Sequence, residues 1–237
     1  MDQEIETLQN EVDQLAQRIE EICKTDTEVN ELYKGTHIYL SPLKEQMDLM
    51  FIGINPGAGS FNHCGVKPHN VTPPEKSEFE TEEYQLQNEW KTIFGPSKVN
   101  SQNQVTLETL NNLDLLYNGF KTNCSFIATE DSSQLKKLKT RLKYQYKIDL
   151  DKEEKRWIQT LIGYVDPKLI ICEGFEAFST LQNMYAADKF IITEQNSPTK
   201  KIAYLNSYLP VLGFKRNHSI FCDIQEVADT ISEFLEE

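Results

Sequence analysis

The sequence predicts an α/β protein with a mostly parallel central sheet of four to five strands, helices on both faces in a three-layer arrangement, and a preceding amphipathic helix. Short apolar segments typical of buried strands alternate with longer segments of helical periodicity along most of the chain. The connections between successive strands are long enough for the crossovers that parallel pairing requires. A separate apolar stripe with helical spacing occupies the N-terminal segment. Together these observations imply a parallel sheet covered by helices.

The N-terminal segment, residues 1–35, is predicted to be the amphipathic helix. Its apolar residues recur at alternating spacings of three and four, and they are Ile5, Leu8, Val12, Leu15, Ile19 and Ile22. Such a stripe must be buried. It either packs against the chain's own α/β domain, residues 36–237, or forms the seam of a homodimer, and both interpretations remain open.

The elements of the α/β domain follow from apolar runs and their boundaries. Strands are predicted at 47–54, 118–127, 168–173 and 210–214, with shorter strands at 189–193 and 201–204. Helices are predicted at 77–94, 105–116, 151–165, 175–186 and 224–235. Residues 134–147 form a lysine-rich stretch without an acidic residue.

Composition excludes several classes of protein. With 237 residues, 39% hydrophobic and 26% charged, the chain is typical of a soluble globular protein. No apolar run reaches the roughly 18 residues of a membrane helix, and the charged N-terminus predicts no signal peptide and therefore a cytoplasmic location. The five cysteines are scattered, which argues against a disulfide framework or a structural zinc site.

The formal net charge of −13 resides in the two terminal segments. Residues 1–35 carry ten acidic and three basic residues, and residues 223–237 carry six acidic residues and no basic one. Residues 36–222 are neutral, with 21 residues of each sign. The net charge therefore neither supports nor excludes a polyanionic partner.

Polar side chains lie at or near the ends of three of the predicted strands. Asn55 lies in Gly53-Ile54-Asn55-Pro56-Gly57, Asn123 lies in Thr122-Asn123-Cys124, and His218 lies in Arg216-Asn217-His218-Ser219. Ligands of open parallel sheets bind at the carboxyl ends of the strands. Two amides and an imidazole at this edge can bind a heterocycle and position a water, but an Asn side chain does not titrate and cannot act as a strong general base.

In order and spacing, these segments resemble the uracil-DNA glycosylase superfamily, and most closely its mismatch-specific and single-strand-selective branches with a G-x-N-P-G motif. The matching segments are FIGINPGAGS, GFKTNCSF, WIQTLIGYVDPKLIICEGFEAFSTL and LPVLGFKRNHSIF. They extend from about Asp48 to the C-terminus. The last segment matches in part, because Ser219-Ile220 follows His218 where the family has Pro-Ser.

The resemblance implies a monofunctional DNA glycosylase of base excision repair that removes uracil or a related damaged pyrimidine, with neither metal nor cofactor. Asn55 would hold the hydrolytic water, Asn123 would read the Watson–Crick edge of the base, and His218 would donate to O2 of the departing base. The base-binding residues would be Gly53, Ile54, Pro56, Phe61, Asn123 and Ser219; Phe61 would replace a stacking Phe whose expected position is held by Pro68. The alternative is an inactive member that serves as a binding or assembly module.

The expected partner is DNA, in single-stranded or non-duplex form, because the loop after His218 lacks the wedge that enters a duplex. The candidates for phosphate contacts are Lys136, Lys137, Lys139, Arg141 and Lys143, with Tyr144 and Tyr146 as stacking residues. The same stretch is also explained as the solvated face of a helix that buries Leu135, Leu138 and Leu142. A nucleotide-binding turn at Gly57-Ala58-Gly59 is a weaker alternative, since neither G-x-G-x-x-G nor G-K-[ST] is present.

Overall fold

The computed structural model describes residues 3–56, 67–80, 90, 93–95, 98–99, 106–107, 110–194, 197–217, 220–221 and 224–236. The described helices are α1 (Gln3–Cys23), α2 (Thr27–Leu32), α3 (Leu113–Tyr117), α4 (Ser132–Tyr146), α5 (Leu150–Val165), α6 (Phe175–Asn183) and α7 (Ile224–Glu236). Among them, none combines the length and the apolar character that a membrane span needs.

The described strands fall into a large central sheet and small accessory sheets. The central strands are β2 (Leu49–Gly53), β6 (Phe120–Asn123), β8 (Leu169–Cys172), β9 (Phe190–Glu194), β10 (Lys200–Leu205) and β11 (Leu209–Phe214). The accessory strands are β1 (Gly35–His37), β3 (His69–Asn70), β4 (Lys98–Val99), β5 (Thr106–Leu107), β7 (Ile127–Ala128), β12 (Arg216–Asn217) and β13 (Ile220–Phe221).

The central sheet has the order β6-β2-β8-β11-β10-β9, which confirms the α/β class and the mostly parallel sheet. Strands β6, β2, β8 and β11 run parallel, whereas β10 and β9 are antiparallel to their neighbours. The predicted number of four to five strands is wrong, because six strands are present. Each of the six overlaps a segment predicted as a strand, so the two short segments at 189–193 and 201–204 belong to the same sheet. A tight turn joins β10 to β11, where Asn206 and Ser207 adopt positive φ values of 51° and 69°.

Helices cover both faces of the sheet, as the alternation along β2 shows. Met50 and Ile52 enter a core shared with α1, α5 and α6. Leu49 and Phe51 enter a second core shared with α7 and with aromatic side chains that precede α3. In this second core the ring of Phe51 lies 5.1 Å from the ring of Trp90 in an edge-to-face arrangement.

Helix α1 packs against its own domain. Its buried residues are Ile5, Leu8, Val12, Ala16, Ile19 and Ile22. The opposite wall includes Trp157 of α5, whose Nε1 donates to Glu11 at 2.9 Å, and Arg156 pairs with the same carboxylate. The apolar stripe of α1 is therefore buried against the α/β domain of the same chain, which was the first of the two interpretations of the sequence.

Three predicted elements differ from the structure. The helix predicted at 105–116 is wrong: residues 106–107 are the strand β5, and α3 begins at Leu113. Asn111 adopts a left-handed φ of 48°, and Asn112 caps α3 by accepting from the backbone N–H of Leu115 at 3.1 Å. The strand predicted at 118–127 is divided into β6 and β7. Of the helix predicted at 77–94, residues 78–80 form a 3-10 turn, and residues 81–89 lie outside the described residues.

Asp26 joins α2 to the lysine-rich helix α4. Its carboxylate caps α2 by accepting from the backbone N–H groups of Glu28 and Val29. It also accepts from Arg141 Nε and from the hydroxyl of Tyr146, each at 2.7 Å. These hydrogen bonds, that of Arg141 above all, lower the pKa of Asp26 to about 2.

Replacement of Leu8 tests the burial of the α1 stripe within one chain. Leu8→Ala leaves a cavity and should lower the free energy of unfolding by about 3 kcal/mol, whereas the exposed neighbour Glu6→Ala should change it little. Urea denaturation measures both. A midpoint that shifts with protein concentration would contradict burial within a single chain.

Asp26→Asn tests the charge of the α2–α4 link while it keeps a capping side chain. The pKa of Asp26 is lower in the folded chain than in the unfolded chain, so its stabilisation is present above about pH 4 and is lost toward pH 2. The variant should therefore be less stable than the wild type at pH 7, and the difference should shrink between pH 4 and 2. Urea denaturation across this range measures it; a difference independent of pH would contradict the ion pair's role.

Candidate functional site

The candidate site lies where the parallel strands β2, β6 and β8 end. The register pairs Gly53 with Asn123 on one side of β2 and Ile52 with Cys172 on the other. Pairing continues beyond the strands, because the N–H of Cys124 donates to the carbonyl of Gly53 at 2.8 Å. The strand ends that carry Asn55 and Asn123 are therefore held together at the edge where parallel sheets bind ligands.

Asn123 packs onto Gly53. A Cβ at residue 53 would lie 2.2 Å from Oδ1 of Asn123, so the carboxamide occupies space that any larger residue would take. Asn123 is 4% exposed, and within the described residues its Nδ2 has no hydrogen-bond partner. An unpaired buried donor costs roughly 1–3 kcal/mol. Such a group is suited to donate to a ligand's carbonyl oxygen.

Asn55 is fixed by its own amide nitrogen. Nδ2 donates to Thr129 Oγ1 at 3.0 Å and to the carbonyl of Pro56 at 3.1 Å. Thr129 in turn donates to the carbonyl of Asp131 at 2.8 Å. Because these contacts use the nitrogen, the side-chain oxygen of Asn55 is oriented as an acceptor, which is the group that can align a water molecule.

A buried charged layer lies beneath Asn123 on the same face of β6. Lys121 Nζ lies 3.3 Å from Glu173 and 3.1 Å from Glu78. Glu173 also accepts from Nε1 of Trp90 at 3.0 Å, and its second oxygen lies 3.3 Å from the Cβ position of Gly53. This layer was not among the predicted site residues. Its signals were a single lysine within the apolar strand GFKTNCSF and a glutamate at the end of KLIICE.

The cysteines at this edge are unsuited to nucleophilic chemistry. Burial raises the pKa of Cys124 to about 12 and that of Cys172 well above its ordinary value. Both thiols therefore stay protonated at neutral pH. Within the described ranges, no group of three or more His, Cys, Asp or Glu side chains is placed to hold a metal ion. Asn55 and Asn123 are therefore the candidate ligand-binding side chains at this edge.

A second depression adjoins the site on the other face of the sheet. This cleft, which we call the α4 cleft, has a volume of about 410 Å³ and lies between α4, α5 and α6. Its floor contains Ile54, Cys124 and Ser125, which directly follow Gly53 and Asn123. Its remaining lining residues are Ser132, Leu135, Lys136, Lys139, Thr140, Lys143, Tyr144, Asp151, Glu176 and Thr180.

The predicted phosphate contacts divide into two groups. Four of the five side chains form ion pairs within the chain. Lys139 pairs with Asp151 and Glu154, Arg141 with Asp26 and Glu28, and Lys143 with Asp149, whereas the pair of Lys136 with Glu176 is more exposed. Although burial opposes it, the carboxylate of Glu154 raises the pKa of Lys139, which therefore stays charged. Lys136 and Lys137 are exposed. Of the two predicted stacking residues, Tyr146 is bonded to Asp26, and Tyr144 is exposed.

Several predicted residues are not brought to this edge by the described structure. His218, Ser219 and Phe61 lie outside the described residues. Pro68 lies beside β1, where its carbonyl accepts from the backbone N–H of Thr36 at 2.9 Å. The described part of the predicted site is therefore formed by Gly53, Ile54, Asn55, Pro56 and Asn123.

Comparison with known proteins yields no match to a family model, and no curated protein matches the sequence. The geometry of the Gly53–Asn123 edge is therefore the basis of the functional argument.

Two glycine-to-alanine substitutions test the close approach of Asn123. Gly53→Ala must displace the carboxamide and should lower the free energy of unfolding by about 1–3 kcal/mol. Gly163, in the exposed part of α5, has open space at its Cβ position. Gly163→Ala should therefore raise the free energy of unfolding by about 0.5–1 kcal/mol. Urea denaturation measures both. Equal effects of the two substitutions would contradict the packing of Asn123 on Gly53.

Proposed function

We propose that the protein is a monofunctional DNA glycosylase of the uracil-DNA glycosylase type, which hydrolyses the N-glycosidic bond of uracil or a related damaged pyrimidine. One observation carries the proposal: the buried amide nitrogen of Asn123, without a partner among the described residues, lies beside Gly53 at the carboxyl edge of a parallel sheet. The ordered resemblance of four sequence segments and the helices on both sheet faces support it.

The carboxamide of Asn123 complements the edge of uracil. Uracil presents a carbonyl oxygen, O4, next to the N3–H donor, and a carboxamide offers one donor and one acceptor at matching positions. Its Nδ2 would donate to O4, and its Oδ1 would accept from N3–H. The base must leave the DNA stack to reach this edge, which costs least for an unpaired base.

Asn55 would hold the water that attacks the anomeric carbon. An amide-bound water is a weak nucleophile, so most of the rate must come from stabilisation of the departing base as an anion and from positioning. The family resemblance gives His218 the role of donating to O2 of that anion. The bond between the sugar and the base breaks, the water oxygen joins the sugar, and the base takes the proton that the water releases.

Base release without strand cleavage is expected, because cleavage needs an amine that attacks the sugar. At the described edge, the nearby amine of Lys121 is buried and paired with Glu78 and Glu173. It is thereby held below Asn123 in the charged layer.

The test uses end-labelled single-stranded DNA with one uracil, incubated with the full chain and then treated with alkali. The wild type should produce alkali-labile abasic sites. Asn123→Asp replaces the donor by a carboxylate that faces O4 and should abolish release, and Asn55→Ala should slow it about 100-fold by loss of water positioning. Asn118→Ala, an exposed amide at the opposite end of β6, is the matched control and should retain full activity.

Absence of abasic sites with the wild type would refute the glycosylase and leave a binding or assembly module of the same fold. Full activity of Asn55→Ala would remove Asn55 from the mechanism. Retained folding of each variant is checked by its urea denaturation midpoint.

A further inference from the structure

Tyr144 is a large side chain that the fold leaves in solvent. Its exposed fraction is 70%, although α4 buries Leu135, Leu138 and Leu142 on its other side. Tyr144 lies four residues after Thr140 and eight after Lys136, so the three share one face of the helix. An exposed aromatic ring on a basic helix is the kind of group on which a nucleic-acid base stacks.

Two cations near Tyr144, Lys136 and Lys137, are not firmly neutralised within the described chain. Lys137 forms no ion pair within the described part of the chain. Lys136 lies 3.4 Å from Glu176, but both side chains are at least half exposed, so this pair contributes little and can be exchanged for a phosphate. The more buried cations Lys139 and Arg141 are held by carboxylates instead.

The row Lys136–Thr140–Tyr144 is a ridge between two hollows. On one side is the α4 cleft. On the other side is a groove of about 460 Å³, to which Lys137, Arg141, Gln145 and Glu28, the ion-pair partner of Arg141, also contribute. Both hollows share the three residues of the ridge. Ile54, Cys124 and Ser125, which line the α4 cleft, directly follow Gly53 and Asn123 in the chain, so the cleft lies at the same end of the sheet as Asn123 but on the other face.

We infer that this face of α4 binds single-stranded DNA, with one base stacked on Tyr144 and the flanking phosphates on Lys136 and Lys137. The inference rests on the proposed function, because it places the substrate strand at the end of the sheet that carries Asn123. Stacking on an exposed ring requires a base whose face is free, so the single strand is favoured over the duplex. Salt-dependent binding through the two lysines is independent of sequence.

The test measures fluorescence anisotropy of labelled oligothymidylate, which contains no uracil, with the full chain. Tyr144→Ala should weaken binding about tenfold. Tyr208→Ala is the matched control: Tyr208 is also 70% exposed, but it lies in the turn between β10 and β11, at the opposite edge of the sheet, and its loss should change nothing. The duplex of the same length should bind more weakly than the single strand.

The lysines are tested by the salt dependence of the same binding. Lys136→Gln/Lys137→Gln should reduce the slope of log affinity against log salt by about 1.4, or about 0.7 for each lost phosphate contact. Lys168→Gln is the control, since Lys168 is exposed and paired with Asp48 at the opposite edge. An unchanged slope in the double variant would overturn the assignment of these lysines.

An abasic oligonucleotide of equal length separates stacking from charge. Tyr144→Ala should weaken binding of oligothymidylate but not of the abasic strand, whereas the lysine variant should weaken both. No binding by the wild type, an unaffected Tyr144→Ala, or equal losses on both strands would each overturn the inference, and competition by polyglutamate at equal charge concentration would indicate an acidic peptide instead. Because the probe contains no uracil, these outcomes are independent of the glycosylase assay.

Discussion

The packing of Asn123 onto Gly53 is the constraint on which the candidate site depends. In parallel strands in register, residues 53 and 123 are direct neighbours, and only a residue without a side chain leaves room for the carboxamide. The hydrogen bonds from Cys124 and Ser125 to the carbonyls of Gly53 and Ile54 extend this pairing to the turn that carries Asn55. The register that builds the core therefore also fixes the distance between the two amides.

The charged layer beneath Asn123 is costly to bury, so its presence at this edge needs an explanation beyond stability. Apolar replacements of a buried ion pair are often neutral or stabilising. The ion pair of Lys121 with Glu173 connects β6 to the end of β8 across the intervening strand β2. The indole N–H of Trp90 also donates to Glu173. Together with Glu78, which also pairs with Lys121, these contacts give the floor below Asn123 a fixed shape.

Local sequence patterns predicted the strands and the amides, because both are properties of short segments. The apolar runs at 47–54 and 168–173 are strands of the central sheet. Asn55 and Asn123 could be selected from the sequence because they lie at the carboxyl ends of β2 and β6. The pairing of Lys121 with Glu173 was not predictable in this way, since it depends on which strands flank β2. The helix predicted at 105–116 failed for a local reason: Asn111 and Asn112 provide a turn and a cap that override the apolar spacing.

Acidic residues from other parts of the chain neutralise much of the positive charge of α4. Asp26 and Glu28 of the acidic N-terminal segment neutralise Arg141, and the acidic start of α5 neutralises Lys139 and Lys143. These pairs attach α4 to its neighbours and remove most of its charge from solvent. Lys136 and Lys137 stay exposed near Tyr144, beside the cleft that is lined by residues directly after Gly53 and Asn123. A net charge of −13 is therefore compatible with a polyanionic partner, because exposed basic side chains remain on this helix.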